Sequence, residues 1–172
     1  MATNTLRANA ARLPHPADRY APSYPGRLIH ADIAGPFIPS AHGHFRYTLV
    51  LVDDHSRFKA VYFLKNKSDQ GRHVKSFVAR INALLNAGKP QPTQVVGSLL
   101  TDNAGEFLSH EFARYLENES IDHTTCPPYV HELNGVAERA IRSIMDSARA
   151  FLTSSNAPKS FWPTPLDMPS TV

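Results

Sequence analysis

The chain has 172 residues, 42 % of them hydrophobic and 19 % charged, which supports one domain with a buried core and excludes wholesale disorder. Eighteen Lys and Arg against fifteen Asp and Glu leave a net charge of +3, a balance that permits a polyanionic partner without requiring one. No apolar run approaches the roughly 20 residues that span a bilayer, the first twenty residues lack the apolar centre of a secretory signal, and the single cysteine, Cys126, excludes an internal disulfide and a cysteine-rich zinc site, so neither membrane nor zinc is expected and the expected compartment is reducing and intracellular.

Residues 1–23 read as a flexible arm in which Arg7, Arg12 and Arg19 face a single acid, Asp18; it is either a disordered leader or a basic arm that touches nucleic acid. A core is expected over 24–155. Leu28 to Ile33 reads as a short strand stopped by Gly35-Pro36, Phe45 to Val52 as a second, and Phe58 to Leu64 as a third, with Asp53-Asp54-His55-Ser56 as a turn. Joined by tight turns, these three predict an antiparallel meander. Val74, Phe77, Val78, Ile81, Leu84 and Leu85 keep helical spacing, and Asn86-Ala87-Gly88 ends that helix. Val95 to Thr101 reads as a buried strand running into the turn Asp102-Asn103-Ala104-Gly105. Ser109 caps a short helix carrying Phe112, Tyr115 and Leu116. Ile121 to Cys126 is a brief strand before Pro127-Pro128. A last helix from about Val136 to Leu152 has the stripe Ala137, Ile141, Ile144, Ala148 and Phe151. Residues 156–172 form a Pro-rich tail that cannot be a long helix. A meander followed by alternating helix and strand predicts an α/β fold, a mixed sheet with helices packed on it.

Three acids occupy awkward places. Asp32 lies inside the first strand, Asp102 ends the buried fourth strand, and Glu138 lies about 100° round the last helix from Ala137, on the flank that also carries Arg142 and Arg149. A carboxylate near a core is costly unless it is paired or binds a metal. Converging at one sheet edge, the three would form an all-oxygen site suited to Mg²⁺ or Mn²⁺, and two such ions can act together on one phosphodiester.

The wording around these acids resembles the integrases of copia-type LTR retrotransposons. Thirty-five residues separate Asp102 from Glu138, as in the D,D(35)E signature of retroviral and retrotransposon integrases. His30-Ala31-Asp32-Ile33-Ala34-Gly35-Pro36 is similar to "HxDxxGP", Tyr47 to Arg57 to "Y-x-L-x-x-VDD-x-SR", and Phe63 to Ser68 to "FLKxKS". Leu100 to Phe107 is similar to "SDNGGEF", Asn134 to Arg139 to "NGVAER", and Pro158 to Trp162 to "PxxFW". The resemblance covers about residues 24 to 165. It implies a ribonuclease H-like fold with strand order 3-2-1-4-5 and polynucleotidyl transfer, in which element DNA is cut near its 3′ end and the freed 3′-OH attacks host DNA. It further implies that Asp32 bridges two Mg²⁺ or Mn²⁺ ions, Asp102 holds one and Glu138 completes the other. Asn103 and Gly105 would shape the turn beside Asp102, and Asn134 and Gly135 the entry to the last helix. Arg139 and Arg142 are candidates for phosphate contact, as are Lys65 and Lys67, although a solvated strand end is the favoured reading of those two. DNA ends and target DNA are the implied partners, a homodimer is possible, and the nucleus is the expected site of action.

Other residues carry two readings. His30 approaches the acids or packs; Asp53-Asp54 is a second metal pair or a turn; His42 and His44 lack zinc partners; Cys126 is a small buried residue; Trp162 is a docking anchor or the remnant of a cut domain. Ala104 stands where the resembled motif has Gly, which would shift the turn if it needs a positive φ, and Ala140 stands where Lys is common, which would remove a DNA contact. The chain reads as a truncated, isolated catalytic core. The alternative to an active enzyme is a catalytically silent retrotransposon relic that folds and binds nucleic acid or self-associates; a ribonuclease H-type hydrolase shares the fold but not the wording.

Overall fold

A computed structural model describes residues 22–91, 93–126 and 134–163. Most of the expected arm, the Pro127-Pro128 stop and the end of the tail lie outside the described residues. Five strands form one sheet in the order β3-β2-β1-β4-β5: β1 Leu28–Ala34, β2 Tyr47–Asp53, β3 Lys59–Leu64, β4 Ser98–Thr101 and β5 Asp122–Thr125. β1, β2 and β3 pair antiparallel, whereas β1 with β4 and β4 with β5 pair parallel. Three helices flank it: α1 Gln70–Leu85, α2 His110–Asn118 and α3 Gly135–Ser154. The expected order of elements and the expected 3-2-1-4-5 sheet are both present.

Strand alternation divides the sheet into two faces. Ile29 and Ala31 of β1, Leu49 and Leu51 of β2, and Leu99 of β4 pack with Val74, Phe77, Val78 and Ile81 of α1 and with Phe112 and Leu116 of α2. On the opposite face Val50, Val52 and Ala140 form a smaller cluster with Val61, Val136, Ile141 and Ile144, so α3 covers the strands that carry Asp32. Ala140 is therefore a packing residue, only 4 % exposed.

Four expectations change. β1 and β2 are joined by the long segment 35–46 rather than by a tight turn. It leaves the sheet at Gly35, whose φ of +125° and close approach to Arg46 (a Cβ would lie 2.6 Å from its carbonyl oxygen) require a glycine. β4 begins at Ser98, not Val95, because the amides of Val95 and Val96 are taken by the side chain of Asn82 in α1, at 3.0 and 3.3 Å, instead of by a neighbouring strand. Leu84 and Phe151 are exposed; the apolar stripe of α3 ends on Leu152 instead. Ala104 has φ −67°, so the turn after β4 needs no left-handed residue there and alanine fits it without strain.

The end of the described chain returns to the core. A single 3₁₀ turn, Lys159–Phe161, delivers Trp162 into a pocket where it is only 4 % exposed. Its indole Nε1 donates to the Ile38 carbonyl at 2.9 Å, and the ring meets Phe37 and Phe63 at centroid distances of 5.0 and 5.6 Å. The Ala41 amide donates to the Ser160 carbonyl at 2.8 Å. Of its two readings, Trp162 takes that of an anchor within this chain, strapping the β1–β2 segment to the edge of β3. Trp162→Phe keeps an aromatic ring, smaller than the indole, but loses the N–H bond and leaves a small void, a cost of about 1–2 kcal/mol. The expected melting temperature is lower by several degrees; an unchanged one would mean that the strap adds nothing to stability.

Candidate active site

The sheet register decides which side chains can meet. His30 of β1 lies opposite Leu100 of β4, so two residues further along the parallel pair Asp32 comes level with Asp102. Thr101 lies opposite Thr125 of β5, which brings Cys126 level with Asp102 on the next strand. By alternation Asp32, Asp102 and Cys126 share the face covered by α3, at the carboxyl ends of three parallel strands. Glu138 enters from above, in the first turn of α3.

The start of α3 is fixed to that strand end. Asn134 is 3 % exposed, and its Nδ2 donates to the Ala31 carbonyl at 3.1 Å, one residue from Asp32. Asp32 Oδ1 accepts from the Ile33 amide at 2.8 Å, and Asp102 Oδ1 accepts from the Ala104 amide at 3.2 Å, so both carboxylates are steered by local backbone. Burial pushes the Asp32 carboxyl up to about 6 from an ordinary 3.8; the charges of Asp102 and Glu138 push the same way, against the Ile33 amide and the Lys67 ammonium. Burial, followed by Asp102, Glu138 and Asp32, also raises the Cys126 thiol. Asp102 and Glu138 thus act electrostatically on both the Asp32 carboxyl and the Cys126 thiol, adding to the effect of burial. Among the described residues, no three His, Cys, Asp or Glu side chains are drawn closely enough together to hold one metal ion. The carboxylates stand within electrostatic range of one another rather than at ligand distance.

The remaining candidates are scattered. Lys67 is partly buried between Asp32 and Glu106, with its Nζ 3.9 Å from Glu106 Oε1. Lys65, Asn103, Arg139 and Arg142 are exposed. Arg149 is bound to Asp146 at 2.6 Å and lies about 16 Å along the helix from Glu138, so it is no neighbour of the acids. Gly105 has an ordinary backbone and open space around it, whereas a Cβ at Gly135 would press to 3.0 Å on the Arg139 guanidinium. Asp53 and Asp54 are structural. Asp53 Oδ1 accepts from the Gly26 amide at 2.8 Å and Oδ2 from the Ser56 amide at 2.8 Å, while Asp54 holds Arg57 at 2.8 Å and faces His30 at 3.3 Å. His30 is buried beside Asp54, and that burial holds its imidazole below the usual range, so it packs as a neutral ring. The neighbourhood of Cys126 went unread in the sequence; the signal was its place immediately after a parallel edge strand, one register step from Asp102.

The integrase core domain family profile matches residues 22–131. Relatives include the Retrovirus-related Pol polyprotein from transposon TNT 1-94 of Nicotiana tabacum, 33 % identical over 135 residues that make up 78 % of this chain and 10 % of that one. The Pol polyprotein from transposon RE1 of Arabidopsis thaliana is 31 % identical over 140 residues, 81 % of this chain and 9 % of that one. This chain therefore spans about a tenth of the length of the polyproteins it matches. Among solved structures, the HTLV-2 integrase catalytic core domain in complex with magnesium (trimeric form) aligns with TM-score 0.52 and 24 % identity over 81 % of this chain and 84 % of that one. The simian T-cell lymphotropic virus intasome in complex with PP2A regulatory subunit B56 gamma gives 0.59 and 20 % identity over 81 % of this chain and 48 % of that one. At these identities the likeness is one of fold, that of ribonuclease H-like retroviral integrase cores. The chain belongs to the integrase core domain family, whose members are enzymes of the polynucleotidyl transferase type. Its sequence relatives are Pol polyproteins of transposons.

Proposed function

We propose that this core performs metal-dependent polynucleotidyl transfer on DNA: water cuts near a 3′ end of element DNA, and the freed 3′-OH then attacks a phosphorus in target DNA, forming a new phosphodiester and releasing the 3′-oxygen of the target strand. The observation that carries the reading is the register that brings Asp32 level with Asp102 at the carboxyl end of the parallel strands, on the face where α3 carries Glu138 in its first turn. The donor set fits Mg²⁺ or Mn²⁺, since all three groups are hard oxygens and the charges of Asp102 and Glu138, which add to burial in raising Asp32, are the kind a divalent cation neutralises. In this reading Asp32, Asp102 and Glu138 would hold the divalent ions, which would supply Lewis-acid stabilisation of the attacking and leaving oxygens.

The chain's own residues prepare the site. Asn134 sets the distance between the first turn of α3 and β1, and hence between Glu138 and Asp32. The Ala104 amide orients Asp102. Below about pH 6 Asp32 holds a proton, so cation binding there strengthens as pH rises through that value. Lys67 places a positive charge beside the carboxylates, where a backbone phosphate of bound DNA would pass. Element ends and target DNA are the proposed partners, a homodimer the proposed assembly, and the nucleus the proposed place of action.

The test is the reversal of joining on a branched DNA with Mn²⁺ and purified protein. Resolved strands that vanish with EDTA are the expected result. A folded, DNA-binding protein that yields no product would refute the enzymatic reading and leave a catalytically silent relic.

A further inference from the structure

A groove of about 300 Å³ opens between the β2–β3 hairpin and the first turns of α3. Val52, Val136 and Ala140 form its floor; Arg57, Lys59 and Arg139 form its rim. All three cations are exposed, and among the described residues neither Lys59 nor Arg139 is paired with an acid. Arg57 gives Nη1 to Asp54 at 2.8 Å while its side chain stays 60 % exposed. Its backbone has φ +62°, a left-handed conformation that glycine or asparagine takes readily and arginine rarely. The hairpin holds it there: the Arg57 amide donates to the Asp53 carbonyl at 2.9 Å, and the Asp53 amide to the Phe58 carbonyl at 2.9 Å.

The groove shares the face of the carboxylates. Lys59 pairs with Val52, and Val52 with His30; one row further on, Val61 pairs with Val50, and Val50 with Asp32. The rim thus lies two strands across and one row back from Asp32, about 12 Å away at ordinary strand spacings. Measured along the axis of a duplex, one strand covers that distance in three or four nucleotides. Asp54, which anchors Arg57, faces His30 at 3.3 Å, and His30 sits beneath Asn134, the residue that pins α3 to β1. The rim is therefore built on the frame that positions Asp32 and Glu138.

We propose that this groove is a DNA backbone site: the Arg57, Lys59 and Arg139 side chains take phosphate oxygens, and the apolar floor takes the sugar edge, a few nucleotides from the phosphodiester held at the carboxylates. The inference rests on the integrase reading of that site. Two guanidinium forks and an ammonium on an apolar floor match sugar-phosphate chemistry rather than base-edge readout, so the contact is independent of sequence.

Fluorescence anisotropy with a short DNA duplex, titrated with salt in EDTA, tests this without any chemical step. The variant Arg57→Gly/Lys59→Ala/Arg139→Ala is set against Arg80→Ala/Lys89→Ala/Arg114→Ala, which removes the same charge from exposed positions away from the groove. Arg57→Gly relaxes the left-handed residue, and the three single variants, each checked for cooperative melting, guard against misfolding of the triple. The expected slope of log K against log[salt] falls by about 0.9 for each groove residue removed, with at least about a tenfold loss of affinity for the triple at about 100 mM salt, while the control triple stays near wild type. Equal losses in both triples, or an unchanged slope in the groove triple, overturn the groove and leave the integrase reading standing. A wild type that binds no duplex overturns both.

Discussion

Glu138→Gln and Asp102→Asn are each expected to lower Mn²⁺-dependent reversal of joining by at least about a thousandfold, roughly 4 kcal/mol of transition-state stabilisation. Neither change alters shape appreciably, and Glu138 and Asp102 are only partly buried, so cooperative unfolding persists. A divalent cation present at a hundred times its dissociation constant stabilises the wild-type protein by about 2.7 kcal/mol through mass action. Both variants are expected to lose most of that gain. Retention of full cation stabilisation together with full activity would remove the substituted residue from the site. Loss of activity with cation stabilisation intact would instead assign that carboxylate to the DNA.

Asp32→Asn is expected to do two opposite things: abolish activity and, without divalent cations, make the protein more stable. The folded state holds the Asp32 proton up to about pH 6, whereas an unfolded aspartate releases it near 3.8. Between those values the folded state binds more protons, so wild-type stability falls as pH rises, and the whole penalty is present above about pH 6. Its ceiling is about 3 kcal/mol, at 1.36 kcal/mol for each pH unit between the two values. The neutral amide removes that penalty. Melting in EDTA at pH 7.5 is expected to rise by roughly 5–10 °C in the variant, and the difference should shrink towards zero near pH 4. Should wild type and variant melt together at both pH values, burial and the neighbouring acids do not raise the Asp32 carboxyl. The position illustrates how a binding site is maintained at the expense of the fold that carries it.

Much of the architecture was legible because each element states its own pattern. The unbroken β-branched run of β2, the helical spacing of α1 and Ser109 at the start of α2, whose Oγ accepts from the Phe112 amide at 3.4 Å, need no tertiary information. Boundaries failed where a distant side chain intervened. Asn82 takes the amides that would have extended β4 to Val95, and nothing in the Val95-Val96-Gly97 wording reveals a residue in another helix. The direction of residues 35–46 was hidden for a similar reason, since their partner is Trp162, more than a hundred positions later.

The three acids were conspicuous as carboxylates in apolar settings, and family wording singled out the same three. Their convergence was implied by the family wording; what neither reading held is the register of β1 against β4 that brings Asp32 level with Asp102, which sequence spacing does not encode. Register likewise placed Cys126 beside them. The concern over Ala104 arose from assuming a left-handed turn, and the observed φ of −67° shows why a methyl group costs nothing there.

The strap formed by Trp162 bears on how this domain can be excised from a longer polypeptide. A boundary drawn at the last residue of the long helix would follow secondary structure and still be wrong, because it would uncover Phe37 and Phe63 together and free the Ile38 carbonyl. Such a fragment would present a sticky aromatic socket to its neighbours, and clumping during purification would then report a misplaced cut rather than a natural assembly.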